Sequence, residues 1–418
     1  MARSAADLQR FIDERSEDLF GPPYVERWFE PAEYDERQRR FRAAMAAAGA
    51  DITIVTAPDT MAWLHGFRSR WYRQHTSTKL PPAQCTVIDS GSETLFMIEA
   101  GYHLDLVHAT SVITDVRCLA SDMEHEEDLS AYVAFLLDQI GSISSRPLTI
   151  GLELWSCLPS PAVSRAIEGA LTDAGHRIID VTLAARHARL IKSAAEIGML
   201  ERAQSACDAG LLALRDQVRP GMTELEAWAV YSSAAVAAGG EPAALHETVA
   251  VGSTMPNLHR ISSRQPIQRG RIFHADASTS YGGYHARATR PYFIGEPPPE
   301  LHELTAIAAG AFDVARRVGR AGTPWQTLFA ALKDYYAGTG VEGSAAGYEM
   351  GITTPPADWV NEFLWFPEDE TVTGVIQENS VTNFESWNML ALVDLVVWEA
   401  DGPRTLSRVP HTLMVIDD

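Results

Sequence analysis

Little in this sequence would tie it to an oxidising compartment, a membrane or a polyanion. Its four cysteines, Cys85, Cys118, Cys157 and Cys207, are scattered through 418 residues. None falls in a C-x-x-C pair or at a zinc-binding spacing. Neither a disulfide framework nor a structural zinc site is expected, and the thiols read as reduced and buried. No run approaches the roughly 18 apolar residues that announce a membrane span. The opening residues, with Asp7, Arg10, Asp13, Glu14 and Arg15, lack the apolar stretch of a secretory signal. Basic residues are also short: 34 Lys and Arg against 55 Asp and Glu give a net charge of -21. Such a surface repels nucleic acid and anionic membranes. The expectation is a cytoplasmic protein acting on a small molecule, with neither nucleic acid nor membrane as partner.

What is present has the composition of a globular chain, with 46% hydrophobic and 21% charged residues. The length exceeds one ordinary core, so two domains are expected. Residues 1–35 read as a polar arm that stops at Pro22 and Pro23. Tyr34, Arg37, Phe41, Met45 and Ala48 recur at helical spacing over 34–50. Ile52–Val55 reads as a strand, with a helix or turn ending at Phe67. Cys85–Ile88 and Thr94–Ile98 form an expected hairpin. A helix over 125–141, a strand at Leu148–Gly151 and a helix over 160–175 complete a small α/β unit. The boundary is placed near Arg189–Ile197, giving domains of 1–185 and 186–418. A long helix follows to about Val218, and Thr223 caps the next one. Val218–Thr223 with its helix resembles Val318–Thr323 with its helix, a weak repeat that suggests pseudo-twofold symmetry in the second domain.

Within that domain, Ile272–Asp276 reads as a strand that turns at Gly282 and Gly283 and returns through His285, Arg287 and Arg290, which with His274 and Asp276 are candidate substrate contacts. The strand period of two places His274 and Asp276 on one face. Glu385 lies in an apolar strand, where a carboxylate has to be paired or functional. His259 sits in a loop-like segment, and histidine is the side chain best poised for proton transfer near neutral pH.

The order of these segments resembles the creatinase/prolidase/methionine aminopeptidase superfamily. The resemblance implies an α/β (α+β) protein: a small N-terminal creatinase-type domain and a C-terminal pita-bread domain. Family members hold two metal ions on five ligands, and the matching positions here are Asp276, Arg287, Tyr348, Glu385 and Val393. Three of the five ligands are missing, and one is replaced by a cation. No metal and no other cofactor are therefore expected. The metal-free creatinase branch resembles this pattern most. By that likeness His259, eleven residues before Gly270, would be the proton-transfer residue, and Glu385 would help bind and polarise substrate. The second carboxylate that creatinase places before its Arg is Thr289 here, beside Arg290, which makes creatine itself a poor candidate.

The implied activity is hydrolysis of a C–N bond in a small amidine, guanidino or cyclic amide compound. Three alternatives stand beside it: a lyase on the same fold, a Xaa-Pro peptidase-like metalloenzyme, and a non-catalytic binding module. His274, Asp276 and His285 could bind a single unorthodox metal together with His259 and Glu385; the alternative is a polar pocket floor in which Asp276 pairs with Arg287. Tyr348 either donates to developing negative charge or fills the space of the lost ligand. Arg68, Arg70, Trp71 and Arg73 form a basic-aromatic loop, read either as solvated surface or as a clamp on a substrate carboxylate. In creatinase-type homodimers this region caps the partner's site, so a homodimer is expected. Trp359, Phe363, Trp365, Phe366 and Trp387 either box a cation or pack a core or dimer contact.

Overall fold

The computed structural model describes residues 3–21, 24–68, 84–119, 129–156, 158–243, 248–252, 260–353, 364–365 and 373–417. These residues build two sheets, each covered by helices. In the first sheet, β1 (Ile52–Val55), β2 (Cys85–Asp89), β3 (Leu95–Glu99), β4 (Val116–Cys118), β5 (Thr149–Leu152) and β6 (Arg177–Asp180) lie in the order β4-β3-β2-β1-β5-β6. β2 and β3 form the expected antiparallel hairpin, with Val87 opposite Phe96. β1 also runs antiparallel to β2, whereas the pairs β1–β5, β5–β6 and β3–β4 are parallel, as helical crossovers demand.

Helix α2 (Pro31–Ala48) buries Tyr34, Arg37, Phe41 and Met45, as its periodicity predicts. The polar arm is helical over most of its first twenty residues and exposed to solvent. Residues Ala5–Phe20 form a helix, α1, whose Leu8, Phe11, Ile12 and Leu19 recur at helical spacing between charged residues. Its surplus of charge hides a 3.6-residue pattern. The expected helices over 125–141 and 160–175 are found at Leu129–Ile143 and Pro161–Asp173.

The second sheet has nine strands. β7 (Thr248–Val251), β8 (Ile272–Tyr281), β9 (Tyr284–Ile294), β10 (Ser344–Tyr348), β11 (Leu364–Trp365), β12 (Val381–Trp387) and β13 (Ala391–Glu399) lie in the order β11-β10-β12-β13-β9-β8-β7. Short strands at Gly402–Thr405 and Met414–Ile416 add to β13 and β9. The long pair β8–β9 turns through Gly282 and Gly283, with φ of 59° and 81°. Two residues at positive φ suit a two-residue hairpin, whose twist fixes register. Gly282 also has no room for a side chain: an added Cβ would lie 2.4 Å from Met199 Cε.

The repeat seen in sequence is a structural one. Helix Ala194–Gln217 leads through Gly221 into Glu224–Ala237, and Pro299–Val318 leads through Gly322 into Trp325–Thr339. Gly221 N donates to Ile267 O at 2.8 Å, and Gly322 N donates to Ile376 O at 2.8 Å. Thr223 caps its helix as expected, in a reciprocal box with Glu226.

Buried charge joins the two sheets. Arg37 is fully buried, donates to Glu33 Oε1 at 2.9 Å and to Trp63 O at 3.1 Å, and stacks 4.0 Å over Phe29. Glu196 of the second domain lies 3.9 Å from it and accepts from Trp63 Nε1 at 3.0 Å and Tyr284 OH at 2.9 Å. Ser193 Oγ donates to Glu33 Oε1 at 2.7 Å.

Candidate active site

The period of two along each strand gathers the candidate residues on one face of the larger sheet. Asp276 lies opposite Thr289, Ser278 opposite Arg287, Glu385 opposite both Ala346 and Val393, and Val393 opposite Thr289. The five positions matched to family metal ligands therefore converge, although three carry other side chains.

Arg287 ties the two surviving carboxylates together. Its Nε and one terminal nitrogen donate to Asp276 Oδ1 and Oδ2 at 2.8 and 2.9 Å, a bidentate pair. The other terminal nitrogen donates to Glu385 Oε1 at 2.5 Å and to the Tyr348 hydroxyl. Arg287 and Asp276 are buried, and Glu385 is nearly so. Burial alone would lower the guanidinium's pKa, but Asp276, Glu385 and Tyr348 outweigh it and hold the group well above its ordinary value. The expected pairing of Asp276 with Arg287 is thus observed.

Two further residues complete this floor. Thr289 Oγ1 donates to Asp276 Oδ1 at 2.8 Å. Asn383 Nδ2 donates to Glu385 Oε1 at 2.6 Å, while its Oδ1 accepts from Tyr348 N at 2.8 Å. From sequence Thr289 stood out only as the place of a missing carboxylate, and Asn383 did not stand out at all. The available signal was parity: each is a polar residue two positions from a site residue on its own strand or its paired strand.

The donor set does not fit a pair of divalent ions. Both oxygens of Asp276 and Oε1 of Glu385 are already engaged, a guanidinium occupies the space between them, and Val393 offers no donor. Among the described residues, no three His, Cys, Asp or Glu side chains are grouped so as to hold a metal.

His274 and His285 belong to the same face by parity but differ in surroundings. His285 is buried near the hairpin turn, with Nδ1 2.8 Å from Gly283 O and 3.2 Å from Thr353 Oγ1. Burial, reinforced by the charge of Arg68, pushes its pKa down to about 4 despite the Gly283 carbonyl. His274 is fully buried on β8, opposite Ala250. Burial lowers its pKa too, opposed by Asp276 and the Gly252 backbone, yet among the described residues neither ring nitrogen reaches hydrogen-bonding geometry with a partner.

Arg290, expected at the substrate, is a correction. It lies an odd number of residues from Arg287, on the opposite face. There it donates to Asp394 at 2.8 and 3.0 Å and to the carbonyls of Thr289, Val393, Val409 and Pro410. Those contacts use its donors and leave none for a ligand. Arg68 pairs at 3.0 Å with Glu241 of its own chain and sits 5.3 Å over Trp28. Its charge is answered within the chain. His259, Arg70, Trp71, Arg73, Trp359, Phe363 and Phe366 lie outside the described residues, as does Cys157. Trp387 is half-buried on β12, and Trp365 pairs through its backbone with Gly347.

The buried neutral histidines set a pH dependence. His65, bonded to Ser111 and Thr86, is pushed down to about 3 by burial, and His285 to about 4. A depressed pKa contributes stability that is present above the unfolded value near 6.5 and is lost as pH falls below it. By pH 4.5 each should withdraw roughly 2–3 kcal/mol. Glu153, pushed up to about 7 by burial and by Asp59, has the opposite sign: its contribution is lost as pH rises toward 7. The test is therefore a difference. His65→Gln should show a shallower fall in melting temperature between pH 7 and 4.5 than the native chain. Parallel curves would contradict the buried neutral state.

Residues 198–404 match the model of metallopeptidase family M24. An ectoine hydrolase of Halomonas elongata is 22% identical over 414 residues, covering 93% of this chain and 98% of its own. A probable dipeptidase PepE of Mycobacterium bovis is 23% identical over 397 residues, with the same coverage. Among solved structures, an X-Pro aminopeptidase of Thermotoga maritima aligns with a TM-score of 0.73 at 20% identity, over 90% of this chain and all of its own. A prolidase of Thermococcus sibiricus aligns with a TM-score of 0.74 at 16% identity, over 92% of this chain and 99% of its own. The C-terminal domain has the pita-bread fold of these aminopeptidase and prolidase structures, preceded by an N-terminal α/β domain.

Proposed function

We propose that this protein is a metal-independent hydrolase that opens a C–N bond in a small amidine, guanidino or cyclic amide compound. The observation that carries this reading is the Arg287 guanidinium bonded to both surviving carboxylates. It supplies fixed positive charge where the resemblance places a metal pair. The likeness to an ectoine hydrolase along nearly the whole of both chains supports the same substrate class. In this scheme Glu385, held by Asn383 and Arg287, orients the substrate or the attacking water. His259 accepts a proton from that water as its oxygen bonds to the carbon. The proton is then returned to the nitrogen as the C–N bond breaks, so one water is consumed and no redox partner is needed.

Peptide hydrolysis is the second reading, favoured by the PepE likeness. It requires a metal-ligand set that Arg287, Tyr348 and Val393 do not provide. One experiment separates the two. The purified protein is incubated with ectoine, creatine and a set of cyclic amidines and amides, and in parallel with Xaa-Pro dipeptides, each with chelator or with added manganese. The expected result is a product heavier by one water from the first group, unaffected by chelator, and less than one transition metal per chain by elemental analysis. Manganese-dependent dipeptide cleavage would overturn the proposal. A product without added water would replace hydrolysis by elimination.

A further inference from the structure

His274 is held at a standing cost. A buried polar group without a hydrogen bond is destabilising, and native proteins keep few of them. Here, among the described residues, neither nitrogen of a fully buried imidazole has a hydrogen-bond partner. The polar side chains around it are spoken for, and the Gly252 backbone, which favours its charged form, does not reach hydrogen-bonding geometry with it. Asp276 is held by Arg287 and Thr289. Glu224 accepts from Val251 N at 2.7 Å, Ser263 N at 2.8 Å, Ser263 Oγ at 2.6 Å and from Arg260. The residue opposite, Ala250, is too small and too apolar to answer it. His274 nonetheless lies two residues from Asp276 on the face that gathers the site. Burial keeps it neutral, so it presents one N–H donor and one bare nitrogen acceptor.

We propose that His274 is a substrate-contacting residue whose two ring nitrogens are kept unpaired for the bound molecule. A neutral imidazole suits an uncharged or hydrogen-bond-donating portion of the ligand, such as an amide or amidine N–H. The cationic portion is left to the carboxylate side of the floor, where Asp276, Glu385 and Arg287 sum to one negative charge. This assignment rests on the reading of that floor as a hydrolase site.

Two variants test it. His274→Leu removes the unpaired polar atoms at similar volume, and His274→Gln keeps one donor and one acceptor. Without ligand, His274→Leu should melt at or above the native temperature, by roughly 2–4 °C. With ectoine as the probe, its KM should rise roughly tenfold or more, with kcat less affected, and His274→Gln should recover part of the loss. A His274→Leu variant that melts well below the native protein and keeps its KM would overturn the proposal, since that is the behaviour of a purely structural histidine. If the native protein neither binds nor turns over ectoine, the cyclic amidine reading fails at that substrate. The ligand-free melting comparison then still decides whether His274 is held against stability.

Discussion

Arg287→Met is expected to cost roughly 3–5 kcal/mol of stability, the usual penalty for removing one partner of a buried ion pair. The side chain is replaced by an apolar one of comparable reach, so little packing is lost. What changes is the charge. Asp276 would retain Thr289, and Glu385 would retain Asn383. Neither neutral donor matches a bidentate guanidinium. Two carboxylates would then share a buried face with no cation between them. Urea unfolding measures the effect, and a companion variant isolates its cause. Arg287→Met combined with Asp276→Asn and Glu385→Gln should regain much of the loss, because the stranded charges are gone. A single variant within about 1 kcal/mol of the native protein would show that the cluster contributes little to the sheet. Such a result would also weaken the claim that Arg287 supplies the charge of a missing metal pair.

Substitutions at the proposed reacting groups should act on rate instead. His259→Ala and Glu385→Gln should each lower kcat by roughly 10²–10⁴-fold, the range for loss of a general acid-base group. Glu385→Gln is close to isosteric, and Asp276 still holds Arg287 through two hydrogen bonds. The folded state should therefore survive, with a denaturation midpoint near that of the native chain. Steady-state kinetics on the identified substrate provides the check. A variant that keeps near-native kcat loses its assigned role, and retention of activity in both would remove the mechanism altogether.

How much of this was open to reading from sequence depends on the range of the interaction. Strand parity made the His274–Asp276 face legible, and a buried strand carboxylate marked Glu385. The Gly221 and Gly322 turns were visible because turn chemistry is local. Short strands such as Arg177–Asp180, exposed at both ends, carry too few apolar residues to announce themselves. Parity also held the answer for Arg290, whose odd offset from Arg287 sends it to the other face. Contacts that span the chain were beyond reach. Lys192 meets Glu349 at 2.5 Å across 157 residues, and Trp63 meets Glu196 across 133. Nothing in either neighbourhood names its partner. Two of the residues now thought to shape the floor, Thr289 and Asn383, are ordinary polar residues in strands, and only pairing register gives them meaning.

The junction built on Arg37, Glu33, Trp63, Glu196 and Tyr284 bears on how a substrate reaches the floor. Swinging one sheet away from the other would pull Glu196 off the Trp63 and Tyr284 donors and leave Arg37 in an apolar setting with part of its charge unanswered. A motion of that kind resembles partial unfolding more than a hinge. Tyr284 is also the first residue of the strand that carries Arg287, so the tip of the β8–β9 hairpin is anchored in the same node. The two domains should therefore travel as one rigid unit through a turnover cycle, and the traffic of small molecules has to be handled by segments at the rim of the larger sheet.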